Sequence, residues 1–290
     1  MGRRKPATVH GMVLLDKPMG WTSHDVVARL RKHFGERRIG HTGTLDPGAT
    51  GLLVLGVGNG TRLIRFIEDL DKSYECEIVF GSATDSLDDS GTTVATFDMA
   101  PVDPGRARSL VAAHLTGEVM QEPPMVSARH HEGKRLHQLA REGIEVHREA
   151  RPVTVSGFDL AATDDPMVLA ARITCSTGTY VRVLGADLGA LMGGGAHIRS
   201  LRRTRVGRWS VERASTLDDP VLSPMTEMVA HLASHVLDDA AIHDTRFGRV
   251  RERWSDEGPW VALDGAGEIV AVFEEWNHEL AKPTVVFGGR

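Results

Sequence analysis

Cysteine is scarce in this sequence: of 290 residues, only Cys76 and Cys175 are cysteines. Two cysteines exclude a multi-disulfide framework and a four-cysteine zinc site. Long apolar runs are also missing, since no stretch approaches the roughly 18 residues that a membrane-spanning helix needs. The basic residues Arg3, Arg4 and Lys5 are not followed by the apolar core of a signal peptide. We therefore expect a cytoplasmic protein without a membrane segment.

A strong excess of one charge is missing as well, because the net charge is only −5. Residues 1–215 hold 28 Lys and Arg against 25 Asp and Glu, a net of +3, whereas residues 216–290 hold 6 against 14, a net of −8. Three basic clusters lie in the first part: Arg29, Arg31, Lys32, Arg37 and Arg38; Arg129, Lys134, Arg135 and Arg141 among three histidines; and Arg199, Arg202, Arg203, Arg205 and Arg208. Such clusters on an acidic protein favour a polyanionic partner over merely solvated faces.

Hydrophobic periodicity divides the chain into short strands and helices. It predicts strands over residues 11–15, 74–80, 151–160, 167–175 and 198–206. It predicts helices over residues 24–34, with Thr22 or Ser23 as the cap, 106–115 and 180–191, and further helices that begin near residues 61, 134 and 225. Apolar runs on both sides of residues 264–267 predict a hairpin. Because strands and helices alternate without regular βαβ spacing, we assign the α+β class.

The most informative segment is the glycine-rich loop over residues 40–51, where Asp46 precedes Pro47. Its glycines permit tight turns and the close approach of a ligand. Pro47 restricts Asp46 to extended backbone, so the carboxylate is presented rather than packed away. A lone Asp-Pro pair is more often a simple turn, so the loop by itself only suggests a catalytic carboxylate.

This loop resembles the catalytic motif of the TruB family of tRNA pseudouridine synthases, which act on uridine 55 in the T-arm. Six further motifs resemble the family in the same order: residues 16–23, 72–74, 84–88, 121–128, 175–182 and 195–207. The resemblance implies a pseudouridine synthase fold, with a mixed, largely antiparallel central sheet flanked by helices and loops. It implies a catalytic domain over residues 1–240 with a thumb insertion over about 121–150, and a small β-rich PUA-like domain over 241–290.

The resemblance also implies the chemistry. The reaction breaks the N1–C1′ bond of uridine and forms C5–C1′, so neither a cofactor nor a metal is expected. Asp46 takes the role of the catalytic carboxylate, acting as a nucleophile or as a base. Arg182 is the guanidinium that pairs with it. Tyr74 stacks on the uracil, which must leave its place in the RNA stack.

Further residues are assigned by the same resemblance to binding of the tRNA T-arm. His41 supports the RNA loop from which the base is flipped out, and Tyr180 and Leu201 line the pocket. The remaining substrate contacts are Lys17, Asp88, Arg129, Lys134 and Arg135. One departure from the family pattern is Val126, which stands where many members carry an aromatic residue.

Three other functions remain open at this stage. The scaffold could bind or fold RNA without catalysis, or belong to the guide-RNA-directed branch that modifies ribosomal RNA, although that branch lacks a thumb. A glycosidase would need a second carboxylate about 5–10 Å from the first, and Asp85 or Asp88 are the available partners for Asp46. No protein partner is indicated.

Overall fold

The computed structural model describes residues 8–125, 130–131, 134–135, 144 and 146–288. These residues form four α-helices: α1 (Ser23–Phe34), α2 (Pro104–His114), α3 (Val181–Leu191) and α4 (Asp239–Arg246). Three segments are 3₁₀ helices: Gly58–Phe66, Val211–Arg213 and Met225–Val229. Within the described part of the chain, no helix is long and apolar enough to cross a membrane.

β-Strands are the commonest regular structure in the described part of the chain. The strands before the thumb region are β1 (Gly11–Lys17), β2 (Ile39–His41), β3 (Thr50–Val57), β4 (Lys72–Phe80), β5 (Ser82–Thr84), β6 (Thr93–Thr96) and β7 (Gly117–Gln121). The others are β8 (His130–His131), β9 (Lys134–Arg135), β10 (Arg151–Ala162), β11 (Val168–Cys175), β12 (Ala196–Val206), β13 (Trp209–Ser210), β14 (Ala233–Val236), β15 (Arg251–Glu252), β16 (Trp260–Leu263), β17 (Ile269–Glu275) and β18 (Leu280–Val286).

A nine-stranded sheet forms the centre, in the order β1-β3-β12-β4-β11-β10-β7, with β2 paired to β3 and β13 to β12. All of these pairings are antiparallel except β3 with β12. This parallel contact pairs Arg203 with Gly51, and therefore brings the end of the glycine-rich loop against β12. The predicted mixed, largely antiparallel sheet is confirmed.

Both faces of the sheet are covered, as β3 shows. Leu52 and Val54 enter one core cluster, whereas Leu53 and Leu55 enter another that contains the buried residues of α1. Successive side chains of a strand point to opposite faces, so a continuous apolar run is the pattern of a strand buried on both sides. Helix α1 begins as predicted, with Thr22 as its N-cap in a capping box.

A second sheet, in the order β14-β16-β17-β18-β15, packs against the first. Val261, Val272 and Phe287 share one apolar cluster with residues of the central sheet. Arg62 donates to the carbonyl of Val286 at 2.6 Å. The boundary after residue 240 stays a prediction, but strand β14 already pairs in the second sheet from Ala233 onward.

Two of the predicted helices are present as 3₁₀ helices, and a third falls largely outside the described residues. The helix predicted from residue 61 is a 3₁₀ helix over Gly58–Phe66, and its Gly60 lies so close to β1 that a Cβ there would be 2.2 Å from the carbonyl oxygen of Gly11. The segment near residue 225 has only one short 3₁₀ helix before β14, which pairs in parallel with β16. Lys134–Arg135 pairs with His130–His131 as a strand. The rest of the helix predicted from about residue 134 lies outside the described residues, and after residue 229 the pairing of β14 with β16 limits the helical segment.

Candidate active site

The Asp46 loop connects β2 to β3, and its hydrogen bonds fix it from both sides. The hydroxyl of Ser23, at the start of α1, accepts from the Leu45 backbone at 2.9 Å and donates to the Leu45 carbonyl at 3.3 Å. The Leu45 side chain is buried. On the other side, the Ala49 N–H donates to the Asp46 carbonyl at 3.0 Å. The loop is therefore anchored next to Asp46, whose side chain remains 42% exposed.

A buried lysine supports this loop from beneath. The Lys17 ammonium donates to the carbonyls of Trp21 at 2.6 Å, Pro18 at 3.0 Å and Pro47 at 3.5 Å. The Gly20 N–H also reaches the Pro47 carbonyl, at 2.8 Å. Burial lowers the pKa of Lys17 to about 8, and nearby Asp46 partly opposes this. Lys17 therefore ties the turn after β1 to the residue that follows Asp46.

Arg182, in the first turn of α3, meets the Asp46 carboxylate. Its guanidinium lies 3.0 Å from the Asp46 Oδ2 atom, and its own side chain is only 4% exposed. It also donates to the Ser86 carbonyl at 2.6 Å and lies 3.5 Å from the Asp88 carboxylate. A buried guanidinium with several fixed acceptors has little freedom to turn, so it holds the carboxylate in one place.

A cavity of about 340 Å³ opens beside this ion pair. Its lining comprises Gly43, Thr44, Leu45, Asp46, Lys72, Tyr74, Thr177, Gly178, Thr179, Tyr180, Val181, Arg182, Leu201 and Arg203. Asp46 is the one acidic residue in this lining, so the two-carboxylate arrangement of a glycosidase does not fit the cavity. Burial raises the pKa of the Tyr74 phenol, which keeps the ring neutral beside the cavity.

Sequence comparison identifies the family. Residues 31–181 match the profile described as TruB family pseudouridylate synthase (N terminal domain), and residues 182–238 match the tRNA pseudouridylate synthase B C-terminal domain. The chain belongs to the TruB family of pseudouridine synthases. The two profiles meet at Arg182, so both halves of the matched region contribute to the Asp46–Arg182 pair.

Curated TruB relatives extend over nearly the whole chain. A tRNA pseudouridine synthase B of Thermobifida fusca is 45% identical and covers 96% of this chain and 99% of the relative. One from Corynebacterium glutamicum (strain R) is 40% identical, covering 95% and 96%. Among solved structures, a Cbf5-Nop10-Gar1 complex superposes with a TM-score of 0.72 at 23% identity, covering 97% of this chain and 85% of that one. This last likeness shows a shared fold.

The TruB resemblance also assigns Tyr180, Leu201 and His41. Tyr180 and Leu201 line the cavity together with Tyr74. His41 stands outside the lining, where its Nδ1 atom accepts from the Gly43 N–H at 3.3 Å. Burial, with His24 and Arg203 nearby, lowers the pKa of His41 to about 4. His41 is therefore neutral in the free protein, and its imidazole supports the start of the Asp46 loop.

The other predicted substrate contacts lie elsewhere. Lys17 and Asp88 are not part of the cavity lining and contact protein groups that hold Asp46 and Arg182. Lys134 and Arg135 belong to the short hairpin described above, and Arg129 and Val126 lie outside the described residues. A substrate-binding role for each of these charged residues stays a prediction.

Two cations of the cavity were not singled out from the sequence. Arg203 is 1% exposed and donates to the carbonyls of Leu52 at 2.7 Å and Gly43 at 3.1 Å. Lys72 is also buried, and burial lowers its pKa to about 8. Both lie in motifs quoted above, but the basic cluster around Arg203 suggested an exposed phosphate contact. The arginines of that cluster therefore differ in role, and Arg203 belongs to the site.

Gln121 was not singled out either. At the end of β7 its amide accepts from the Tyr180 N–H at 2.9 Å and donates to the Tyr180 carbonyl at 3.2 Å. This pair of bonds fixes Tyr180, the N-cap of α3, two residues before Arg182 in the sequence. Among the described residues, no group of three or more His, Cys, Asp or Glu side chains is arranged to hold a metal ion.

Proposed function

We propose that this protein isomerises uridine 55 in the T-arm of tRNA to pseudouridine. The observation that carries the proposal is the Asp46 carboxylate, held 3.0 Å from the buried Arg182 guanidinium at the wall of a cavity that Tyr74 also lines. Membership of the TruB family and curated relatives named tRNA pseudouridine synthase B support it. A tRNA substrate also implies a cytoplasmic protein, since tRNA is processed and used there.

The reaction conserves the atoms of the uridine. The N1–C1′ bond breaks, the uracil turns within the cavity, and C5–C1′ forms while the C5 proton is lost and N1 gains one. Asp46 is positioned either to attack the substrate or to remove a proton from its sugar. Arg182 fixes the direction of approach, because its guanidinium is itself tied to the Ser86 carbonyl.

The cavity suits a base that has left its stack. Unstacking costs a few kcal/mol, and apolar or aromatic surfaces inside an enzyme offset that cost. Tyr74, Tyr180 and Leu201 supply such surfaces. The volume of about 340 Å³ lies at the lower end of the range usual for small-ligand sites, roughly 300–1,000 Å³. One nucleotide is therefore the expected occupant.

The proposal is tested with purified protein and unmodified tRNA. Asp46→Asn should abolish pseudouridine formation and leave tRNA binding within about tenfold, or roughly 1.4 kcal/mol, because the amide has nearly the same shape. Asp85→Asn is the matched control: Asp85 is an exposed loop aspartate that accepts from the Thr92 N–H, and turnover should persist. A wild-type protein that binds tRNA but forms no pseudouridine would instead be an RNA-binding protein on this scaffold.

We propose further that the basic residues of the thumb bind RNA phosphates. Neutralising Arg129, Lys134 and Arg135 together should weaken tRNA binding and reduce the log–log salt slope by up to about 2, at roughly 0.7 per phosphate contact. The rate at saturating tRNA should change less, because such charges position the substrate and do not touch the reacting bond. An unchanged affinity and slope across four salt concentrations would show that these side chains are only solvated.

A further inference from the structure

The loop over residues 82–89, here called the platform loop, carries the groups that orient Arg182. The Ser86 carbonyl and the Asp88 carboxylate both face its guanidinium. Between them, Leu87 has a φ of +63°, which is rare for a residue with a side chain. Such a conformation persists only when the surrounding structure enforces it. The contacts that enforce it therefore bear on the position of Arg182.

Two kinds of contact join the platform loop to β12. Backbone bonds run from the Ile198 N–H to the Leu87 carbonyl at 3.1 Å and from the Asp89 N–H to the Ile198 carbonyl at 3.0 Å. The second kind is the side chain of His197, which is 7% exposed. With its proton on Nε2, the imidazole donates to the Asp89 carboxylate at 2.9 Å, and its Nδ1 atom accepts from the Ser82 hydroxyl at 3.4 Å. One imidazole thus bridges both ends of the platform loop.

We propose that Asp89 and His197 are positioning residues for the catalytic ion pair. The inference rests on the proposed function, because its effect is expected in pseudouridine formation. Without the imidazole bridge, the backbone bonds to Ile198 and contacts within the loop, such as the bond from the Thr84 hydroxyl to the Asp88 carbonyl at 2.8 Å, are left to oppose relaxation of Leu87 toward an ordinary conformation. That relaxation would move the Ser86 carbonyl and, with it, the guanidinium that holds Asp46. Displacements of about 1 Å at a reacting group can slow a reaction by about 100-fold.

Neither member of this pair is expected to bind RNA or to contribute much stability. The Asp89 side chain is 51% exposed and negatively charged, so it would repel phosphates. A pair with one half-exposed member adds little to folding. A positioning role therefore predicts a lower kcat with unchanged tRNA affinity, whereas a contact with substrate predicts a change in affinity or KM.

The experiment measures kcat, KM and tRNA affinity for variants of the full-length protein. Asp89→Ala and His197→Ala should each lower kcat by about fivefold to tenfold, and the double variant should be no slower than the slower single one, because both remove the same bridge. Asp89→Asn should retain most of the rate, since its amide oxygen can accept from the same Nε2–H. Glu77→Ala is the matched control. It breaks the Arg199–Glu77 pair, which has a similar length of 3.0 Å and involves the same strand but not the platform loop.

Several outcomes would overturn the inference. Asp89→Ala is the decisive variant because its exposed position should permit folding, and a kcat within about twofold of wild type would exclude positioning. A loss confined to KM or affinity would mean that Asp89 touches RNA. Equal losses in the Glu77→Ala control would indicate a general effect on β12. A wild-type protein without turnover would refute the proposed function instead, so the two failures are distinguishable.

Discussion

The partly buried imidazole of His41 should make the protein lose stability at mildly acidic pH. Burial lowers the pKa of His41 from an ordinary 6.5 to about 4, and His24 and Arg203 add to the shift. Between these two pH values the unfolded chain binds a proton at this residue that the native protein excludes. The contribution of His41 to stability is therefore complete above pH 6.5 and declines as the pH falls toward 4.

The size of this effect follows from the two pKa values. At pH 5 the unfolded chain is almost fully protonated at His41 and the native protein only slightly, which corresponds to a loss of about 2 kcal/mol relative to pH 8. His41→Gln should lack this loss, because glutamine does not titrate and its side-chain oxygen can still accept from the Gly43 N–H. Wild type and variant should thus differ in their dependence on pH by about 2 kcal/mol.

Urea unfolding followed by tryptophan fluorescence at pH 8 and pH 5 measures the difference directly. His33→Gln, which removes an exposed imidazole at the end of α1, is the control for the substitution. If wild type and His41→Gln lose the same free energy of unfolding between the two pH values, to within about 0.5 kcal/mol, His41 is not a neutral, partly buried side chain that supports the Gly43 backbone. The structural role given to His41 at the start of the Asp46 loop would then be wrong.

Two further substitutions test the ion pair and the backbone beneath it. Arg182→Lys should lower the single-turnover rate by about 10- to 150-fold, since the loss of one charge-assisted hydrogen bond costs about 1.5–3 kcal/mol and an ammonium cannot span the carbonyl and the Asp46 carboxylate as a guanidinium does. A rate within twofold would contradict the pairing. Gly51→Ala should destabilise the protein by about 3 kcal/mol, because its φ is +102° and its new Cβ would lie 2.2 Å from the Arg203 carbonyl oxygen. Thermal unfolding measures this loss of stability. Gly48→Ala is the control, because its Cβ would meet nothing within 4 Å, and its stability should stay near that of wild type.

Much of the local structure was predictable because it depends on short-range patterns. The alternation of Tyr74, Cys76, Ile78 and Phe80 gives β4 a buried face, and the structure has this strand over Lys72–Phe80. The Thr22 cap was equally readable, since capping involves residues three apart. The local patterns did not show that the helices near residues 61 and 225 are short 3₁₀ helices, or that the chain enters β14 at Ala233, which depends on pairing with the distant strand β16.

The candidate site likewise combines features that are local in the sequence with features that depend on long-range contacts. Sequence patterns and the family resemblance pointed to the candidate residues: a glycine-rich loop that presents Asp46, and motifs that contain Tyr74 and Arg182. How these residues are held depends on contacts that form in the folded chain. The tertiary structure buried Lys17 and Arg203 beneath the loop as cations bonded to carbonyls, and it joined His197 to the platform loop. Burial and hydrogen bonding between distant segments set the position and protonation of a side chain, and these properties exist only once the chain has folded.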